Sequence, residues 1–127
     1  YLPYVASTQN NLGVLHQTKN EFSLAEEAYR EALNIFRSLV GINPLNYLPK
    51  VTMTTTNLSN FYLTSIPNQT LSLKYAKEAL KAALLFINTL PSVQQYVSTI
   101  LEIVEYWGLD PNAFIATCSK EMQDGEG

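Results

Sequence analysis

The chain repeats itself. Tyr1-Leu2-Pro3 is followed by Val5, Thr8, Asn11 and Leu12, and Tyr47-Leu48-Pro49 by Val51, Thr54, Asn57 and Leu58, with every match at one offset of 46 residues. An internal period of roughly 20–50 residues marks stacked supersecondary units, none of which can bury its apolar face alone. A chain built this way is expected to present a surface, and the sequence does not say to whom.

Local signals turn the period into helices. Pro3 and Pro49 each open a helical stretch, because a proline in the first turn lacks an N–H that would have no partner there anyway. The first stretch, about 3–18, carries Val5, Leu12, Leu15 and His16 along one side. The second, about 22–39, sets Ala25, Ala28, Tyr29, Ala32, Leu33 and Phe36 at gaps of three and one, the stripe of an amphipathic helix. Gly41 offers a left-handed stop and Asn43-Pro44 reads as a turn. A third helix, about 49–64, repeats the first through Val51, Leu58, Phe61 and Tyr62. A fourth, about 71–88, repeats the second, with Ala76, Ala79, Leu80, Ala83, Leu84 and Ile87 standing where the earlier stripe stood. That alignment has an offset of 51 and requires a five-residue insertion near Ser65–Thr70.

A fainter third copy follows, with Pro91, Val93 and Ile100 echoing Pro3, Val5 and Leu12. Gly108 is expected to end that helix, and Asp110-Pro111 to start a last short one running to about Met122. The tail Asp124–Gly127 is expected to be disordered. The reading is a single domain over 1–127, with repeats at about 3–40 and 49–88 and a degenerate repeat or cap at about 91–122.

Length and composition narrow the function classes. Charged residues make up 15% of 127, against about 25% in a typical domain, and the net charge is −3 with no Lys/Arg cluster to follow a phosphate backbone. Nucleic acid is therefore not an expected partner. No apolar run approaches the ~20 residues that span a bilayer, so no membrane role is expected either. A single cysteine, Cys118, fits a reducing compartment, and the expectation is a cytoplasmic protein. The chain lacks an initiator methionine, as a piece of a longer protein would. Asn57-Leu58-Ser59 and Asn68-Gln69-Thr70 match the glycosylation pattern, which arises freely by chance.

The small residues carry a resemblance. Leu12-Gly13, His16, Ala25, Tyr29 and Ala32 resemble the tetratricopeptide repeat pattern. Leu58-Ser59, Tyr62, Ala76, Leu80 and Ala83 resemble it a second time. The phrase Asn10-Asn11-Leu12-Gly13 and the long period look like the kinesin-light-chain type found in many bacterial scaffolds. The resemblance implies an all-α, right-handed solenoid of antiparallel helix hairpins, two repeats plus a C-terminal capping helix pair. Close packing gives the pattern its sense: Gly13 or Ser59 lets the partner helix approach, and Tyr29 or Leu80 fills the gap toward the next unit. Leu101 stands where Gly13 stood, so the third copy loses the small-residue signature.

The sequence carries no evident catalytic set. Catalysis needs a clustered nucleophile, base or metal set. His16 is the only histidine and is read as packing; Cys118 is read as a small buried hydrophobe. One cysteine and one histidine cannot build the usual zinc site, no glycine-rich phosphate loop occurs, and no cofactor is expected. Glu27 and Glu31 read as solvated surface. Trp107 reads as core, although exposed it would be a binding anchor.

The resemblance implies that the first helix of each pair lines a concave groove. Its walls then include Ser7, Asn10, Asn11, Val14 and Gln17, then Met53, Thr56, Asn57 and Asn60, and then Gln95, Ser98, Thr99, Glu102 and Glu105. Asn11 and Asn57 rate highest, because an amide offers both donor and acceptor to an extended peptide backbone. The alternative is that each bonds a neighbouring helix and fixes the stack. With no Lys or Arg on this face, capture of a carboxylate end is disfavoured, and Glu102 and Glu105 favour a neutral or basic peptide. A peptide- or protein-binding module in a larger scaffold is the first reading. A homo-oligomerising module is the second, since Leu2, Val5 and Leu12 leave an open helical end. A ligand-sensing domain is the third, and its mark is a formed pocket with convergent polar groups.

Overall fold

A computed structural model describes residues 1–126. Six helices occur among them and no strand: α1 (Leu2–Thr18), α2 (Phe22–Val40), α3 (Pro44–Thr64), α4 (Gln69–Leu84), α5 (Pro91–Tyr106) and α6 (Pro111–Glu126). Consecutive helices pair as hairpins, α1 with α2 and α3 with α4, and α2 joins the two pairs through α3. The result is a helical repeat solenoid, and three boundaries differ from the sequence reading.

The first difference is the start of α3. Asn43-Pro44 is a cap, not a turn: Asn43 Oδ1 accepts from the Asn46 backbone N–H at 3.3 Å, and Pro44 takes the first helical position. Pro49 consequently lies inside the helix. It removes only the bond to Leu45, in the exposed first turn of α3. Gly41 is right-handed at φ −63°, so the chain needs no left-handed stop there. Gly108 does end α5 in the left-handed region, at φ +86°.

The second is the register of α4. The helix covers 69–84 in place of 71–88, and its loop to α3 (65–68) is one residue longer than the α1–α2 loop (19–21). At an offset of 47, every buried residue of α2 falls on a buried residue: Ala25 on Ser72, Ala28 on Tyr75, Tyr29 on Ala76, Ala32 on Ala79, Leu33 on Leu80, Phe36 on Ala83, Leu39 on Phe86. The offset of 51 is overturned, and the insertion is one residue. The family-like positions of the second unit are thus Ser72, Ala76 and Ala79, one turn before Ala76, Leu80 and Ala83. The third is α6, which takes in Asp124 to Glu126 where a tail was expected; Gly127 lies outside the described residues.

What sits between paired helices decides how closely they meet. Gly13 lies against the Tyr29 ring, where an added Cβ would be 2.6 Å from two ring carbons. At the matching crossing in the second hairpin, Ser59 Oγ donates to the Ser72 carbonyl at 2.7 Å and Ser72 Oγ donates to the Ser59 carbonyl at 2.9 Å. Both hydroxyls are fully buried and both are satisfied. In the third hairpin Leu101 and Phe114 hold those places, 42 residues on from Ser59 and Ser72. Bulk at the crossing keeps helix axes apart, and α5 and α6 meet far less closely than the earlier pairs.

The largest core joins α1 to α4 through Tyr29, Phe36, Leu58, Phe61 and Tyr62. A second gathers Ala76, Ala79, Leu80, Ile100, Val104, Phe114 and Cys118 where α4 meets α5 and α6. The apolar side of α1 is the exception. Val51, Leu58 and Phe61 are 4%, 0% and 0% exposed, whereas their α1 counterparts Val5 and Leu15 are 37% and 51% exposed and Leu12 is half-buried. The face of α1 packed on α2 is the narrower Ala6, Asn10 and Gly13.

Candidate binding surface

The same offsets align the polar residues of α1, α3 and α5. Steps of 46 and then 42 residues carry Ser7 to Met53 and Gln95, Asn10 to Thr56 and Ser98, and Asn11 to Asn57 and Thr99. They carry Val14 to Asn60 and Glu102, and Gln17 to Leu63 and Glu105. Each set is one rung across successive hairpins.

Several members are already engaged inside the stack. Asn57 Nδ2 donates to Asn10 Oδ1 at 3.2 Å, and Asn10 is buried, so this amide pair ties α3 to α1. Gln17 does the same at the helix end: its Nε2 donates to Ser65 Oγ at 2.9 Å while its Oε1 accepts from the Tyr29 hydroxyl at 2.8 Å. Thr56 is buried and donates to the Thr52 carbonyl of its own helix at 2.7 Å; Thr99 donates likewise to the Gln95 carbonyl at 3.2 Å.

Others are open. Asn11, Val14, Gln95, Ser98, Glu102 and Glu105 are exposed, and Asn60 is half-buried. Asn11 and Asn57 therefore differ: the first reaches solvent, the second is half-buried and holds Asn10. Sequence reasoning listed Asn10 but did not pair it with Asn57, because the contact needs the lateral alignment of two helices.

The remaining candidates serve the scaffold. His16 does more than pack: its Nδ1 lies 3.0 Å from Glu21 Oε1 and closes the α1–α2 turn. That hydrogen bond, helped by Lys19, holds the Glu21 carboxyl below its usual range. Trp107 is half-buried, and its indole N–H donates to Ser72 Oγ at 2.9 Å, fixing the end of α5 to α4. Cys118 is buried, and burial pushes its thiol up. Asn68 caps α4 by accepting from the Leu71 N–H at 3.0 Å. Among the described residues no cluster of His, Cys, Asp and Glu could hold a metal ion, and no helix is long and apolar enough to cross a membrane.

Stacked antiparallel hairpins with rungs of side chains in register define a helical-repeat protein. Residues 5–45, spanning the first hairpin and its junction with α3, match the tetratricopeptide repeat family model. The likeness to that family covers the first repeat unit of the chain. No curated protein and no solved structure matches it. Tetratricopeptide repeats are non-catalytic modules that mediate protein–protein interaction.

Proposed function

We propose that the α1–α3–α5 face binds an extended segment of a protein partner, with a neutral to basic sequence, as one module of a larger scaffold of the kinesin-light-chain type. The supporting observation is the division of labour within the rungs. Asn10, Gln17, Thr56 and Asn57 satisfy the stack, while Asn11, Gln95, Ser98, Glu102 and Glu105 stay exposed in line with them. Free amides and a hydroxyl on α1 and α5, at the two ends of the face, suit the N–H and C=O groups of an extended chain that runs across it. The two carboxylates on α5 set the sign of the preferred charge.

The experiment is selection of peptides on the immobilised chain, followed by titration of the best binder. The expected peptides carry Lys or Arg. Glu102→Lys with Glu105→Lys is expected to weaken them about tenfold or more, and Asn11→Ala about fivefold. Binders that are acidic, or unaffected by both changes, defeat the proposal.

The bare side of α1 supports a second reading, self-association. Val5 and Leu15 occupy positions that the preceding hairpin covers in the later repeats. Sedimentation across concentration tests it: a dimer lost in Leu15→Glu supports this reading, and a monomer at all concentrations removes it.

A further inference from the structure

Away from that face, a pocket of about 570 Å³ opens between α2 and α4, over the first turns of α3, with α6 at one end. Its walls are apolar: Val40, Leu48, Val51, Ala82, Leu85 and Met122. Its charged lining is mostly cationic, with Arg37, Lys74, Lys77 and Lys81 beside the one carboxylate Glu78. These are four of the eight basic residues in a chain of net charge −3. Only two carboxylates answer them. Arg37 is taken by Glu78, at 2.9 Å and 2.5 Å. Lys77 and Lys81 share Glu121, at 3.0 Å and 2.7 Å. Lys74 has no carboxylate partner among the described residues; its ammonium lies 5.6 Å from the ring centroid of neighbouring Tyr75.

We propose that this pocket binds a small amphiphilic anion, with its charged head held by Lys74 and Lys81 and its apolar body laid along Leu48, Val51 and Ala82. The size falls within the ~300–1,000 Å³ of small-molecule sites, which are mostly apolar with a few placed polar groups. The excess of two positive charges fixes the sign of the head. Lysine meets an oxyanion as a point charge and does not select its geometry, so carboxylate and phosphate heads share this chemistry. An extended peptide, by contrast, would need a through-running groove, and α6 stands at one end of this site. The proposal is independent of the peptide-binding face, since no residue of α1 or α5 lines the pocket.

The test is calorimetric titration of the whole chain with dodecanoate and dodecyl phosphate below their micelle concentrations and with dodecanol below its solubility limit. Saturable one-to-one binding of either anion, with dodecanol about tenfold weaker or more, is expected. Lys74→Glu is expected to weaken the anions about fivefold and leave the alcohol unchanged; Lys74→Gln gives a smaller loss of the same kind. Both changes lie on an exposed site, and an unchanged thermal melt confirms the fold. Glu121→Gln, which frees two ammoniums, is expected to tighten anion binding. Equal binding of dodecanol, insensitivity to both Lys74 changes, or absence of saturation overturns the proposal. Peptides selected on the α1–α3–α5 face are expected to bind Lys74→Glu as they bind the original chain, which keeps the two proposals separable.

Discussion

A Cβ added at Gly13 has nowhere to go. The Tyr29 ring that it meets is pinned by the hydroxyl bond to Gln17 and by an edge-to-face contact with Phe61 at 6.0 Å. Gly13→Ala gains up to about 1 kcal/mol of helix propensity but overpacks a fixed aromatic at a cost of about 1–3 kcal/mol. We expect a net fall in stability, read as a lower urea midpoint at unchanged slope; a rise would show that the ring can yield. The buried tyrosines make a second prediction at this scale. Burial pushes the Tyr29 hydroxyl up to about 12, and burial with the Glu26 hydrogen bond does the same for Tyr62. The folded state thus holds these protons when the unfolded chain, titrating near 10, has released them. Their contribution is complete below pH ~10 and is lost as pH rises from ~10 to ~12. Phenolate absorbance for these two should appear together with loss of helical circular dichroism, and phenylalanine at position 29 or 62 should remove that step for the residue replaced.

At the level of the helix, the sequence showed six elements and their pairing, and misread one register. The α4 stripe has alanines at 76, 79, 82 and 83, and a small-residue ladder looks nearly the same after a slip of one turn. Ser72, the residue that anchors the register, is polar, so an apolar template passes over it; only its bonds to Ser59 reveal it as interior. Pro49 misled for a related reason, because an interior proline reads as a start when the true cap, Asn43, resembles a turn. The Ser59–Ser72 pair should be coupled. Either alanine change alone is expected to cost about 1 kcal/mol, and the double change less than the two combined, since the two Oγ atoms also meet each other at 3.4 Å in one buried site. Chemical denaturation of the four variants measures this, and additive costs would contradict it. The loosely paired third hairpin still covers α4 through Ile100, Val104 and Phe114. Deleting 91–127 bares that surface, and the fragment is expected to bind hydrophobic dye and melt without a sharp transition. A cooperative melt would show that two hairpins suffice.

Across the whole molecule, the two candidate surfaces differ in how far sequence could reach them. The rungs of α1, α3 and α5 follow the repeat period, so the family resemblance together with that period was enough to nominate Asn11, Asn57, Glu102 and Glu105 as one candidate face. The cationic pocket draws on α2, α3, α4 and α6 at positions with no common period, and Lys74, Lys77 and Lys81 look like an ordinary solvated helix face until Leu48 and Val51 are seen beneath them. The repeat itself supplies a test of the whole stack. Leu15, Phe61 and Ile103 occupy one position in three successive units, yet are 51%, 0% and 3% exposed, because among the described residues helices pack over the second and third and none packs over the first. One substitution should therefore have two outcomes. Leu15→Glu leaves its carboxylate in water and is expected to change stability by no more than about 0.5 kcal/mol. Phe61→Glu buries a charge in the aromatic cluster with Phe22, Tyr29 and Tyr62 and is expected to cost more than about 4 kcal/mol, enough to unfold a marginal domain. Thermal melts of the two variants at a concentration where the chain is monomeric decide the matter. A large loss in Leu15→Glu would mean that α1 is covered in solution, and a mild effect in Phe61→Glu would mean that the hairpins do not stack in this order.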